Sequence, residues 1–135
     1  MNNYIKEIVS NNIHIASLVK PLSAEPGLNF CTHDNKFIQA GIWKYKKGKI
    51  LQTHFHNEFE RVSMRTCESV IVLKGKIKCN LYHENGDYID SFEISQNEMI
   101  IQFNGAHEYE ILEDAIVVEN KNGPYFGPEI DRTRI

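Results

Sequence analysis

The chain has 135 residues, of which 41% are hydrophobic and 24% charged, as is typical of a single globular domain. Its formal net charge of −3 gives no overall attraction to nucleic acid or to anionic membranes. No apolar run approaches the roughly 20 residues that span a bilayer. The sequence therefore predicts one domain over residues 1–135, with neither nucleic acid nor a membrane as partner.

The cysteines and the first residues of the chain indicate a reducing compartment. Cys31, Cys67 and Cys79 are odd in number and widely spaced, which argues against a disulfide framework and a zinc ribbon. Residues 1–8 lack the charged and apolar regions of a signal peptide. We therefore expect a cytoplasmic protein in which Cys67 and Cys79 are buried core residues.

Short apolar runs separated by turn signals predict a series of β-strands. Residues 2–10 allow either a short helix or an irregular arm, and Leu22–Phe30 is expected to be a loop. Asn85-Gly86 is a strong hairpin signal. Many short strands with little helical periodicity indicate an all-β sandwich or small barrel. The expected strands are Phe37–Tyr45, Ile50–His56, Ser69–Leu73, Ile77–Tyr82, Tyr88–Ile94, Met99–Phe103, Glu108–Leu112 and Ala115–Glu119.

Two histidines in the run from Gly48 to Glu60 suggest a metal site. Residues two apart on a strand point to the same face, so His54 and His56 would project side by side. Neutral imidazole is a common ligand of transition metals. Two neighbours on one strand cannot enclose an ion, so a further ligand must come from elsewhere. His107, just after the strand Met99–Phe103, is the candidate.

These residues resemble the two sequence motifs of the cupin superfamily. Gly48-x5-His54-x-His56-x3-Glu60 is similar to the start of the first motif, and Glu68-x6-Gly75 is similar to its second half. Residues 97–107 match the second motif loosely. The run Glu119–Tyr125 also resembles a small group of bacterial cupins with a Lys-x-Gly-Pro-Tyr signature, a group associated with surface-sugar biosynthesis.

The resemblance covers about residues 37–119 and implies a cupin-type jelly-roll β-barrel with a divalent transition metal inside. Zinc, iron, nickel and manganese all remain open as the metal, because the ligand set does not select one. Residues 1–35 would then form an N-terminal arm and residues 120–135 a C-terminal tail. Cupin barrels of this size commonly pair through sheet edges, which implies a homodimer.

Two glutamates compete for the single glutamate position of the first motif. Glu60 lies at the expected distance from the histidines, and Glu68 lies at the expected distance from Gly75. A strand that runs into a glycine turn sets its register more rigidly than a loop does, which favours Glu68 as the ligand. Glu60 is then the candidate for moving protons. The expected metal ligands are His54, His56, Glu68 and His107.

The sequence departs from the motifs at three places. Asn97 stands where a glycine is usual, Phe103 stands where a proline is usual, and one residue instead of two separates Gly105 from His107.

Other residues beside the motifs are candidates for binding substrate. Arg61 and Arg65 could hold a carboxylate or phosphate through paired hydrogen bonds. Tyr45 and Gln102 are expected to contribute polar groups to the pocket, with Tyr125 a weaker candidate. The remaining notable side chains are assigned structural places: Trp43, Phe55 and Phe59 in the core, and His14, His33 and His83 without a functional role.

Three functions agree with these observations. In the first, the metal and Glu60 act on a small polar molecule, such as a sugar or sugar-nucleotide derivative, in an isomerisation or epimerisation. In the second, an iron site with three histidines carries out dioxygenation. In the third, the barrel binds a small molecule without turnover.

Overall fold

The computed structural model describes residues 3–135 and consists mainly of β-strands, which confirms the all-β class. Met1 and Asn2, the first residues of the expected N-terminal arm, lie outside the described residues. Within the described part, no helix is both long and apolar enough to cross a membrane. The elements are β1 (Ile5–Ser10), β2 (Ile13–Val19), a 3₁₀ helix (Pro21–Ser23), β3 (Gly27–Phe30), β4 (Gly41–Lys44), β5 (Glu68–Tyr82), β6 (Tyr88–Ser95), β7 (Met99–Gln102), β8 (Ala106–Lys121) and α1 (Pro128–Asp131).

Six of the strands form one antiparallel sheet around the long strand β5. The sheet has the order β1-β2-β7-β5-β6, and β8 pairs with β5 along its whole length. The other edge of β5 is therefore shared, with β7 pairing to residues 68–71 and β6 to residues 76–82. β3 and β4 form a separate two-stranded sheet. Over residues 3–135 the sheets do not close into a barrel.

β5 bends at its middle, where its pairing with β8 is irregular around residues 74–76. The register with β8 shifts three times between residues 72 and 77, and Gly75 has a φ of +83°. Such bulges reverse the alternation of side chains that a regular strand keeps. The inward-facing side chains change from even to odd numbers across the bend, and they share one core cluster: Val70, Val72, Ile77, Cys79 and Leu81.

β7 lies at the centre of the molecule and is buried on both faces. All four of its residues are buried. Ile100 packs into the cluster shared by the two halves of β5, whereas Ile101 packs into a second cluster on the opposite face. That second cluster includes Cys31 and Ile38, which come from the region around the small sheet. Gln102, the polar residue at the end of β7, is therefore buried against the core.

Several expected strands are confirmed, but in fewer and longer pieces. The hairpin at Asn85-Gly86 joins β5 to β6, and the backbone N–H of His83 donates to Asp87 at 2.8 Å. The two strands expected over 69–73 and 77–82 are halves of β5, and those expected over 108–112 and 115–119 lie within β8. Glycine and charged residues in the sequence suggested that each strand ends there. In the structure these residues lie at bulges, and the strands continue through them.

Other expectations are wrong. No strand forms over Ile50–His56; residues 45–67 are an irregular segment, in which residues 45–66 are exposed. A strand needs a neighbour to satisfy its backbone groups, and no described strand pairs with this segment. Trp43, Phe55 and Phe59 are 67%, 84% and 62% exposed, so they are not core residues. Residues 5–10, expected to be a helix or an irregular arm, form β1 of the main sheet.

Candidate functional site

The bend in β5 brings together side chains from both ends of the β5–β8 ladder. Glu68, the first residue of β5, pairs with Lys121, whereas His107 pairs with Leu81 near the other end of β5. The side chains of Glu68 and His107 nevertheless meet, with Glu68 Oε1 2.9 Å from His107 Nε2. Because Glu68 and Leu81 lie 13 residues apart along β5, only a folded-over sheet can place Glu68 and His107 in contact.

In the Glu68–His107 pair, the glutamate is almost completely buried and the histidine is partly exposed. The side chain of Glu68 is 9% exposed and that of His107 is 35% exposed. The second carboxylate oxygen of Glu68 lies 3.8 Å from the ammonium of Lys121. Glu68 thus has one partner on each side, while the imidazole of His107 reaches the surface.

The acidity of Glu68 reflects these partners. Burial by itself raises the pKa of the carboxyl group, but the hydrogen bond from His107 and the nearby positive charge of Lys121 help to outweigh it, and the pKa falls to about 2. Glu68 is therefore ionised at neutral pH. A carboxylate in this state serves as a metal ligand or hydrogen-bond acceptor rather than as a proton donor.

A layer of buried polar groups adjoins this pair. The Gln102 amide lies 3.2 Å from the hydroxyl of Tyr109 and 3.5 Å from Sγ of Cys79, and it donates to both. The ring of Tyr109 lies 5.3 Å from that of His107, between centroids. Together these side chains form an interior polar cluster that consists of Glu68, His107, Gln102, Tyr109 and Cys79.

One acceptor in the interior polar cluster is free. Among the buried side-chain atoms of the described residues, Oε1 of Gln102 is the one without a hydrogen-bond partner. A buried amide oxygen without a partner is costly and rare in folded proteins. It is suited to accept a hydrogen bond from a hydroxyl or amine of a ligand.

Two further members of the cluster remain protonated at neutral pH. Burial raises the pKa of the Cys79 thiol to about 12 and also raises the pKa of the Tyr109 hydroxyl. Cys79 is therefore a neutral thiol and not a thiolate nucleophile. Tyr109 can donate a hydrogen bond but cannot act as a base.

The structure brings together only part of the site that the sequence predicts. Glu68, His107 and Gln102 lie in the interior polar cluster. The other candidates lie at or near the irregular segment and are exposed: Tyr45, His54, His56, Glu60, Arg61 and Arg65.

The exposed candidates contact one another or other surface groups. The rings of His54 and His56 lie 5.2 Å apart, and Nδ1 of His54 donates to the carbonyl of Gln52 at 2.9 Å. The guanidinium of Arg61 lies over the ring of Phe59, at 3.7 Å from its centroid. The guanidinium of Arg65 lies 2.5 Å from the carboxylate of Glu84, so a surface ion pair already occupies it.

Glu68 and His107 together provide only some of the ligands that a metal site needs. A carboxylate and an imidazole about 3 Å apart are spaced as two neighbouring ligands of one ion. His54 and His56 are not gathered with them: among the described residues, the one group of three closely spaced metal-binding side chains is Glu7, His14 and His33. The interior polar cluster thus supplies half of the four ligands that the motif resemblance implies.

Sequence reasoning correctly placed Cys79 in the core, but it assigned neither Cys79 nor Tyr109 to the site, although a signal for each existed. Cys79 lies between Ile77 and Leu81 on the apolar face of an alternating strand, which points it inward. Tyr109 lies two residues after His107 and therefore shares its face of β8. No local sequence signal indicated that β5 bends and so brings these residues close to Glu68.

Comparison with protein-family models, with curated proteins and with solved structures returns no match.

Proposed function

We propose that this protein is a metal-dependent cupin with a jelly-roll barrel, acting on a small polar molecule of the sugar or sugar-nucleotide class. The observation that carries the proposal is the contact between buried Glu68 and His107, which are distant along the ladder but have side chains 2.9 Å apart. An ionised, buried carboxylate beside an imidazole fits a divalent transition metal.

The low pKa of Glu68 divides the roles of the two candidate glutamates. A group with a pKa of about 2 is a weak base, so Glu68 is assigned to binding the metal. Glu60 lies in the exposed segment and is assigned to proton transfer. When bound, the metal supplies a Lewis acid that polarises a carbonyl or hydroxyl oxygen of the substrate.

The protein's own groups would orient the substrate. Oε1 of Gln102 accepts from a substrate hydroxyl, and the protonated hydroxyl of Tyr109 donates. A molecule rich in hydroxyl groups satisfies both. Arg61 would meet a phosphate or carboxylate at the exposed side, and Arg65 would do so after leaving Glu84.

The remaining metal ligands, His54 and His56, would come from the irregular segment. The 12 residues from His56 to Glu68 can span about 40 Å when extended, so chain length does not prevent the histidines from reaching the cluster. The end of the irregular segment is already attached next to Glu68 of the interior polar cluster, since the Asn122 side chain donates to Ser63 and accepts from the N–H of Cys67.

Metal titration of three variants tests this proposal. Glu68→Gln and His107→Ala should each weaken zinc or manganese binding at least about tenfold, since each removes a ligand or its partner. Glu60→Gln, the matched control in the exposed segment, should change affinity less than about threefold if it is not a ligand. A larger loss with Glu60→Gln than with Glu68→Gln would overturn the assignment of roles.

Trypsin cleavage gives a second measurement of the same proposal. The segment contains Lys46, Lys47, Lys49, Arg61 and Arg65, and all are exposed. Bound metal should slow cleavage there, because His54 and His56 become ordered. The double variant His54→Ala/His56→Ala should lose this protection, and equal protection in that variant would exclude the two histidines as ligands.

A further inference from the structure

A second group of metal-binding side chains lies away from the interior polar cluster. Glu7 comes from β1, His14 from β2, and His33 from the connection between β3 and β4. One candidate ligand atom from each lies within 4.8 Å of the other two. Three elements that are separate in sequence therefore converge on one point.

This group is on the opposite face of the sheet from the interior polar cluster. The ring of His14 packs on that of Phe103, 4.6 Å between centroids, and Phe103 belongs to the second core cluster. The neighbouring Gln102 points the other way, toward Cys79. The two groups cannot share one ion.

The side chains of the group are held in place by specific contacts. Nε2 of His33 lies 2.8 Å from a carboxylate oxygen of Glu7. Nε2 of His14 lies 3.1 Å from the carbonyl of Ala16 and 2.9 Å from the hydroxyl of Ser17, which fixes the plane of its ring. Hydrogen bonds that orient a histidine ring commonly accompany metal ligation.

The surroundings leave room for an ion and its water. The group opens into a hollow of about 500 Å³ on the surface. The Lys36 ammonium also lines the hollow, and its positive charge opposes cation binding. Besides the three candidate ligands, the polar lining of the hollow consists of Asn12, Asp34, Asn35 and Lys36.

We propose that Glu7, His14 and His33 bind a divalent transition metal, with zinc as the best match, at a three-ligand surface site. Two imidazoles and one carboxylate are a common protein ligand set for zinc with an open fourth position. The open position would take water or a ligand from a bound molecule.

Nuclear magnetic resonance of the histidine rings tests this on the full chain, because each ring reports separately. Zinc should shift the ring signals of His14 and His33, while His83, which contacts Ser10 instead, stays unmoved. Shifts confined to His54, His56 or His107 would overturn the proposal, as would unshifted His14 and His33 signals at millimolar zinc.

Variants of exposed residues complete the test without disturbing the core. Glu7→Gln and His33→Ala should each weaken zinc binding, followed at the His14 ring, at least about tenfold. Glu25→Gln, a matched change of an exposed glutamate, should leave the affinity unchanged. Lys36→Met should strengthen binding several-fold by removing the repulsion. Equal affinities in wild type, Glu7→Gln and His33→Ala would contradict the site.

Discussion

At the scale of single residues, Glu68 experiences burial and ion pairing in opposite directions. Burial disfavours its charged form, while the imidazole of His107 and the ammonium of Lys121 favour that form and outweigh burial. The sequence placed Glu68 immediately before the expected strand Ser69–Leu73, and in the structure β5 begins at Glu68 itself. Neither the sequence spacing nor the motif revealed its partner Lys121, which is brought close by pairing across 53 residues.

The depressed pKa predicts how stability changes with acid. The folded pKa of about 2 lies below the ordinary value of 4.5 for a glutamate, so ionised Glu68 stabilises the fold above about pH 4.5. That contribution, on the order of 3 kcal/mol at most, should be lost as pH falls from 4.5 toward 2. Urea unfolding from pH 6 to pH 2 should show the stability gap between wild type and Glu68→Gln shrinking over this window. Glu60→Gln, in the exposed segment, should follow wild type; a constant gap for Glu68→Gln would contradict the prediction.

At the scale of secondary-structure elements, the sequence predicts those elements that are determined by local signals and misses those that depend on distant partners. The alternation of Ile77–Tyr82 and the Asn85-Gly86 turn predict the β5–β6 hairpin, because both the face and the turn are encoded locally. Residues 50–56 contain apolar residues but form no strand, because pairing requires a partner that the run itself cannot supply. Strand joining across Lys74–Lys76 was also missed, since bulges have no strong sequence signal.

The bend in β5 predicts a difference between two glycines that both have positive φ. A Cβ on Gly75 would lie 2.2 Å from the carbonyl oxygen of Asp114, whereas a Cβ on Gly86 would meet nothing within 4 Å. Gly86→Ala should cost about 1–2 kcal/mol from the backbone conformation alone. Gly75→Ala adds a backbone clash and should cost roughly 3 kcal/mol or more. Denaturant unfolding of both variants measures this, and equal losses would show that the bend tolerates a side chain.

At the scale of the whole molecule, the fold leaves a long strand edge open. β8 has 16 residues, and β5 is its one partner among residues 3–135. The face of β8 that carries Ala115 and Val117 packs on the core, while the opposite face exposes Ile116 and Val118. The sequence predicted many strands in this region but not which one would form an edge, because edges follow from the order of strands in the sheet.

An open edge of this kind predicts a homodimer in which β8 of one copy pairs with β8 of another. Exposed backbone groups on a long edge are satisfied by an equivalent strand, and a two-fold axis lets Ile116 and Val118 of both copies meet. Light scattering at micromolar concentration should return twice the 15.6 kDa chain mass. Ile116→Lys/Val118→Lys should give monomers, because four added charges would face each other across the axis. Leu22→Lys, a change at a side chain that is 76% exposed in the 3₁₀ helix, should leave the dimer intact. A monomeric wild type, or a dimer that survives the double variant, would show that β8 is not the interface.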